Sequence, residues 1–209
     1  MSHKHINIST LRLDVEGEFI AKLKLLTVYF ESRMNGATAH QMQKSSAEGR
    51  RYKLNYGVSL GDMRVMAEEI KRDEKVVLGI MDYDNLWSSD IREAMLLALL
   101  MVPNEEVTVD RIERWVGEIH TNEMADMLPF LMGWRVGDGR AMVEQAVNRY
   151  EESGVLQRIA YTNLVGRLVS RGKVERGDEM VKRYMERLAT ESIEEANSIM
   201  FLRNMVEVE

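Results

Sequence analysis

The sequence has no cysteine, two prolines (Pro103 and Pro129) and four phenylalanines among its 209 residues. The missing cysteine excludes a disulfide framework and any thiolate metal site, and it fits a reducing cytosol. So few prolines leave long stretches in which nothing interrupts a helix. The longest apolar run, Ala94 to Val102, is far short of the roughly 20 residues that a membrane-spanning helix needs. No N-terminal run has the charged-then-apolar layout of a signal peptide, so a cytoplasmic protein without a membrane partner is expected. There is no glycine-rich phosphate loop, no nucleophile elbow and no His-Glu pair at zinc-ligand spacing. The four histidines (His3, His5, His40 and His120) do not cluster. No metal and no cofactor is expected, and any chemistry has to come from carboxylates, arginines and aromatic faces.

What is abundant is Leu, Met, Ala, Glu and Arg, all strong helix formers, which points to an all-α chain. With 45% hydrophobic residues the chain can bury one substantial core. The formal net charge of -6 weighs against a nucleic-acid binder, although local distribution matters more than the sum.

The first thirteen residues read as a flexible terminus, and 14–209 as a single domain. Asp14 to Arg33 has the apolar density of a long, well-buried helix, which Asn35-Gly36 should stop. Thr38 to Glu48 forms a second helix, ended by Gly49. At Asn55-Tyr56-Gly57-Val58-Ser59 the pattern changes. Gly57 tolerates positive φ, Ser59 is a good N-cap, and Asp62 suits the positive end of a helix dipole. A helix should start at Ser59 and run to Ile70. From there capping signals fall at Ser59, Ser89, Thr121, Ser153-Gly154 and Ser192, roughly 30 to 40 residues apart. Each period holds two helical patterns. Ser59–Arg72 is followed by Asp73–Met81, and Ser89–Val102 by Thr108–Ile119. Thr121–Trp134 is followed by Gly139–Glu152, and Gly154–Arg171 by Val174–Leu188, with Ser192–Val206 last. A helix pair at this period marks an α-α superhelix, a HEAT- or armadillo-like solenoid, with a globular helix bundle as the alternative. Pro129 should kink or break its helix near Asp126.

Charge is uneven. Glu105 to Asp126 holds seven acids against Arg111 and Arg114. Lys44, Arg50, Arg51 and Lys53 form one basic cluster, and Arg158, Arg167, Arg171, Lys173 and Arg176 another. Such clusters on a concave face could follow a phosphate backbone; the alternative is solvated helix faces. Asp126 lies among Met124, Ala125, Met127 and Leu128, so burial should raise its pKa unless a cation or water meets it. A structural pairing with an arginine is the competing reading. Arg158, among Val155, Leu156, Ile159 and Ala160, could instead be a surface arginine whose stem covers the core.

The string "NYGVSLGDMRVMAEEI" at Asn55 to Ile70 resembles the DNA alkylation repair family, the HEAT-like-repeat alkylpurine DNA glycosylases. So do "LWSSDIREAMLLALLMV" at Leu86 to Val102 and "RIERWVGEIHTNEMADML" at Arg111 to Leu128. The resemblance runs from about Arg50 to the C-terminus. It implies a superhelix with a concave face for double-stranded DNA and metal-free hydrolysis of the glycosidic bond of cationic N-alkylated purines. It implies that Asp126 is the catalytic aspartate and that Arg158 holds a backbone phosphate. Arg50, Arg51, Lys53, Arg167, Arg171, Lys173 and Arg203 are the further DNA-binding candidates. The sequence departs from the family pattern at its aromatics. Asn122 stands one turn before Asp126 where a tryptophan is usual. Met200 and Phe201 precede Leu202-Arg203 where a second is expected, and a third aromatic is replaced near Gly36 and Ala37. Stacking on a base contributes about 1–3 kcal/mol per ring, so these changes bear directly on lesion binding. The alternative function is a non-catalytic scaffold for protein or unmodified nucleic acid.

Overall fold

The computed structural model describes residues 17–45, 51–188 and 193–207. The expectations of a flexible first thirteen residues, of Gly49 ending a helix and of Ser192 as a cap fall outside them, as does Arg50. The chain is all-α; among the described residues the only β-type pairing is a parallel bridge between Leu54 and Ile91. The described residues form two compact units, one running to Ser45 and from Tyr52 to Met101, the other from Val102 onward.

The first unit holds α1 (Gly17–Ser32), α2 (Gly36–Ser45), α3 (Leu60–Ile70), α4 (Ile80–Ser88) and α5 (Arg92–Met101). Helix α1 buries the stripe Phe19, Leu23, Leu26 and Phe30 and leaves Leu25 and Val28 exposed. Helix α3 starts where expected: the Ser59 hydroxyl accepts from the Asp62 amide at 3.0 Å and donates to its carboxylate at 2.7 Å. The expected helix over Asp73–Met81 is absent. Asp73 turns the chain instead, accepting from the Lys75 amide at 3.0 Å and from the Tyr29 hydroxyl at 2.5 Å. A short acidic side chain that satisfies local amides competes with helix formation. The next helix, α4, begins after Gly79, whose amide donates to Asp82 at 2.6 Å. Ser89 therefore ends α4 rather than starting α5, its hydroxyl donating back to the Leu86 carbonyl at 2.7 Å.

The irregular stretch before α3 is held by α5. The fully buried Glu93 carboxylate accepts from the Tyr56 amide at 3.0 Å and from the Val58 amide at 3.2 Å. Arg92 bridges the Glu93 carboxylate (2.8 Å) and the Val58 carbonyl (2.7 Å). Asn55 closes the turn by accepting from the Gly57 amide at 2.7 Å. Gly57 itself has φ +71°. A Cβ there would lie 2.6 Å from the Ala39 nitrogen and closer still to the Asn35 carbonyl oxygen. Both obstacles are backbone and cannot swing away. Gly57→Ala should therefore lose about 2 kcal/mol or more of stability, read as a lower urea midpoint at unchanged slope.

The second unit holds α6 (Val109–Gly117), α7 (Asn122–Met132), α8 (Gly139–Arg149), α9 (Val155–Ser170), α10 (Glu179–Arg187) and α11 (Ile193–Glu207). They form two layers. Helix α8 packs on α6 and α10; helix α9 packs on α7 and α11, with α6 and α8 beneath it. Trp115, Ile112, Val143, Leu164, Leu168 and Tyr184 fill the space between them and are fully buried. Caps at Thr108, Thr121 and Asp138 accept from the amides of Arg111, Met124 and Ala141, at 3.2, 3.3 and 2.9 Å. Of the expected kink or break at Pro129, the break does not occur: α7 is continuous through it. Pro129 lies in the last turn, where one missing N–H removes a single bond, and Leu128, Leu131 and Met132 around it are buried. The helix expected from Val174 starts only at Glu179, because Gly172 (φ +65°) and the Lys173 amide, donating to the Leu168 carbonyl at 2.9 Å, terminate α9 first.

Candidate functional site

The α7–α9–α11 layer carries a cavity of about 300 Å³ lined by Asn122 and Asp126, Ile159 and Asn163, and Asn197 and Ser198. Each helix contributes two residues. Helix α7 turns Met124, Ala125 and Leu128 into the core, which places Asp126 on the opposite side, at the cavity. The sequence pattern suggests a carboxylate among core residues; the structure places it in a wall open to solvent. Its Oδ1 accepts from Asn163 Nδ2 at 3.1 Å. Packing around the carboxyl strips water from it and raises its pKa above the ordinary aspartate value, opposed by the Asn163 hydrogen bond and by the positive charge of Arg167. A carboxylate in this state is ready both to face a positive charge and to take a proton.

Arg158 is held elsewhere. Its guanidinium donates to Glu195 at 2.6 Å and to the Ser153 carbonyl at 2.9 Å, joining α9 to α11. Both side chains of that pair are largely buried, at 13% and 3% exposure, and the guanidinium also lies 5.9 Å from the centre of the Tyr150 ring.

The residues that stand at two of the family's aromatic positions, Asn122 and the pair Met200 and Phe201, separate in space and role. Asn122 lines the cavity. Met200 is exposed. Phe201 packs its ring over Arg167, 5.1 Å from centroid to guanidinium carbon, and Phe130 does the same at 5.1 Å. Trp87 and Trp115 are core residues, and Trp134 is exposed beyond the end of α7. Among the described residues no aromatic lines the cavity.

Of the other basic candidates, Arg51, Lys53, Arg171, Lys173 and Arg203 are exposed. Among the described residues no group of three or more His, Asp or Glu gathers in a way that could hold a metal ion, and no helix is long and apolar enough to cross a membrane. A second cavity of about 540 Å³ in the same unit is lined by Asp110, Glu113, Arg149 and Tyr161 among others. Arg149 is paired inside it, donating to Glu113 at 2.6 Å and to Glu152 at 3.0 Å. Burial pushes the Tyr161 hydroxyl up to about 12.

Sequence reasoning misses Asn163, Asn197 and the stacking of Arg167. One signal is available. Asn163 and Arg167 are four residues apart on α9 and so share a face, in a helix whose other residues are mostly buried.

No curated protein and no solved structure matches this chain. A family model described as DNA alkylation repair enzyme matches residues 27–160, well over half of the 209 residues. The matched span includes the Glu93 clamp, Asn122 and Asp126, and stops short of Asn163, Arg167 and Asn197. With the glycine turn, the buried clamp and the cavity aspartate all inside that span, the chain belongs to the DNA alkylation repair enzyme family.

Proposed function

We propose that the protein binds duplex DNA and excises cationic N-alkylated purines without a metal, with Asp126 as the catalytic carboxylate. The observation that carries this reading is an exposed carboxylate in a polar cavity, hydrogen-bonded by Asn163 and disfavoured from ionising by its surroundings. A purine alkylated on a ring nitrogen carries a positive charge. When its glycosidic bond breaks, the bonding pair moves onto the base, which leaves neutral and needs no acid to protonate it. Positive charge then develops on the sugar. An ionised carboxylate at that point stabilises it, and can accept a proton from the water that adds to the anomeric carbon. Asn163 would orient the carboxylate. Exposed Lys53, Arg171, Lys173 and Arg203 supply charge for the DNA backbone, while Arg158, held by Glu195, would act by fixing α9 against α11.

The test is release of free base from a duplex oligonucleotide carrying N-methylated purines. Asp126→Asn should lower release roughly 10²–10³-fold without lowering stability at neutral pH. The sign follows from the raised pKa. The folded state favours the protonated acid, so Asp126 contributes stability at low pH that is lost as pH rises through its folded pKa. A neutral amide removes that penalty. The acid limb of the rate profile should lie above the ordinary aspartate range for the same reason. Undiminished release by Asp126→Asn rejects the assignment, and failure to bind duplex DNA even at low salt points to a protein-binding scaffold instead.

A further inference from the structure

The central guanidinium carbon of Arg167 lies 5.1 Å from the centres of two phenylalanine rings, Phe130 from α7 and Phe201 from α11. Two glycines leave room for this arrangement. A Cβ on Gly166 would come within 2.5 Å of the Phe201 ring, and one on Gly133 within 3.0 Å of the Arg167 Cβ. With rings against it, a guanidinium can donate only through its edge. Among the described residues that edge has no partner. Its Nε–H is buried without a hydrogen bond, and no carboxylate lies within ion-pair distance. Asp126 is near enough to feel the charge but does not pair with it. Arg111 and Arg158, by contrast, are each held by a glutamate in the same unit. The buried Nε–H is out of reach of an incoming anion, so it is the two terminal amino groups of this positioned cation that are suited to an anion arriving with a ligand.

The ligand follows from what lies beside it. Asn163, which holds Asp126, is four residues earlier on α9, about 6 Å along the helix axis at 1.5 Å per residue. Arg171, exposed at the end of the same helix, is four residues further on. We infer that Arg167, clasped by Phe130 and Phe201, is the anion site that takes a DNA backbone phosphodiester next to the nucleotide received at Asp126. This rests on the excision reading above, and it reassigns Phe201, whose ring positions the arginine and does not stack on the base.

The experiment is duplex-DNA affinity measured over a series of salt concentrations, with base release assayed in parallel. Arg167→Ala should weaken binding roughly tenfold to a hundredfold and reduce the salt slope by about 0.9, one phosphate contact. Arg167→Lys keeps the charge but loses the planar edge, so affinity should fall while the slope stays. Phe201→Leu should do the same by releasing the guanidinium from one wall; its cooperative melt checks that α11 still docks. Wild-type affinity and slope in Arg167→Ala overturn the inference alone. Loss of base release in Asp126→Asn with wild-type DNA affinity, together with weakened binding and a reduced slope in Arg167→Ala, supports both readings. A wild-type chain that does not hold duplex DNA at low salt overturns both together.

Discussion

Glu93→Ala is expected to lose about 3–5 kcal/mol of stability, a large share of the roughly 5–15 kcal/mol that holds a typical domain. The carboxylate is completely buried and serves three donors: the amides of Tyr56 and Val58 and the guanidinium of Arg92. Alanine leaves two backbone N–H groups and a positive charge in a space that water does not reach, and each such unmet donor costs about 1–3 kcal/mol. The first unit should therefore melt early, with near-ultraviolet signal from Tyr56 and Trp87 lost before most of the helical signal. Glu93→Gln should be milder. Its carbonyl can serve one amide, but its NH2 then opposes another donor. A Glu93→Ala chain that unfolds within about 1 kcal/mol of wild type would show that the clamp is incidental to the fold.

The second large effect is at Arg158 and Glu195. Removing Glu195 takes the carboxylate from a guanidinium whose side chain is 13% exposed, and about 3 kcal/mol should be lost. Replacing both partners by apolar residues, Arg158→Met with Glu195→Leu, should recover most of it, because a well-packed apolar pair avoids the desolvation of two charges. A double-mutant cycle in urea measures the coupling. The DNA salt slope should be the same in all four proteins. If Arg158→Met instead reduces that slope and leaves stability untouched, Arg158 reaches a phosphate and the ion pair with Glu195 gives way when DNA binds.

These outcomes turn on contacts that differ in how far a sequence can show them. Helix existence is legible because it rests on local terms: the Ser59 and Thr121 caps, the apolar spacing of Met63, Met66 and Ile70, and the absence of breakers. Boundaries fail where a side chain has two local choices. Asp73 and Ser89 both look like helix starts, but Ser89 bonds the neighbouring backbone and Asp73 divides its oxygens between the Lys75 amide and the Tyr29 hydroxyl. Pro129 looks like a break because a sequence does not say that packing on α9 outweighs one lost hydrogen bond. At the site, Asp126 is legible as an oddity, a charge among apolar neighbours. Its partner is not. Asn163 and Arg158 are five residues apart on one helix, and only the packing of α9 between α7 and α11 decides which of them faces the carboxylate. Phe201 shows the same limit. Its type fits an aromatic wall of the pocket, while its position against Gly166 gives the ring to Arg167.

The spacing on α9 gives the pocket a sense of length. Asn163, which holds Asp126, and Arg167 ride on one helix, so on the excision reading α9 sets the spacing between the point that would receive a positive charge and the point that would grip a negative one. A free base is too short to reach both, and a free phosphate carries nothing for Asp126. Only a molecule with a cation and an anion held about one helical turn apart engages both ends, and a damaged nucleotide still joined to its strand is such a molecule. On the excision reading the helix would work as a gauge, telling a lesion in place from the same base already released, although among the described residues no aromatic lines the cavity.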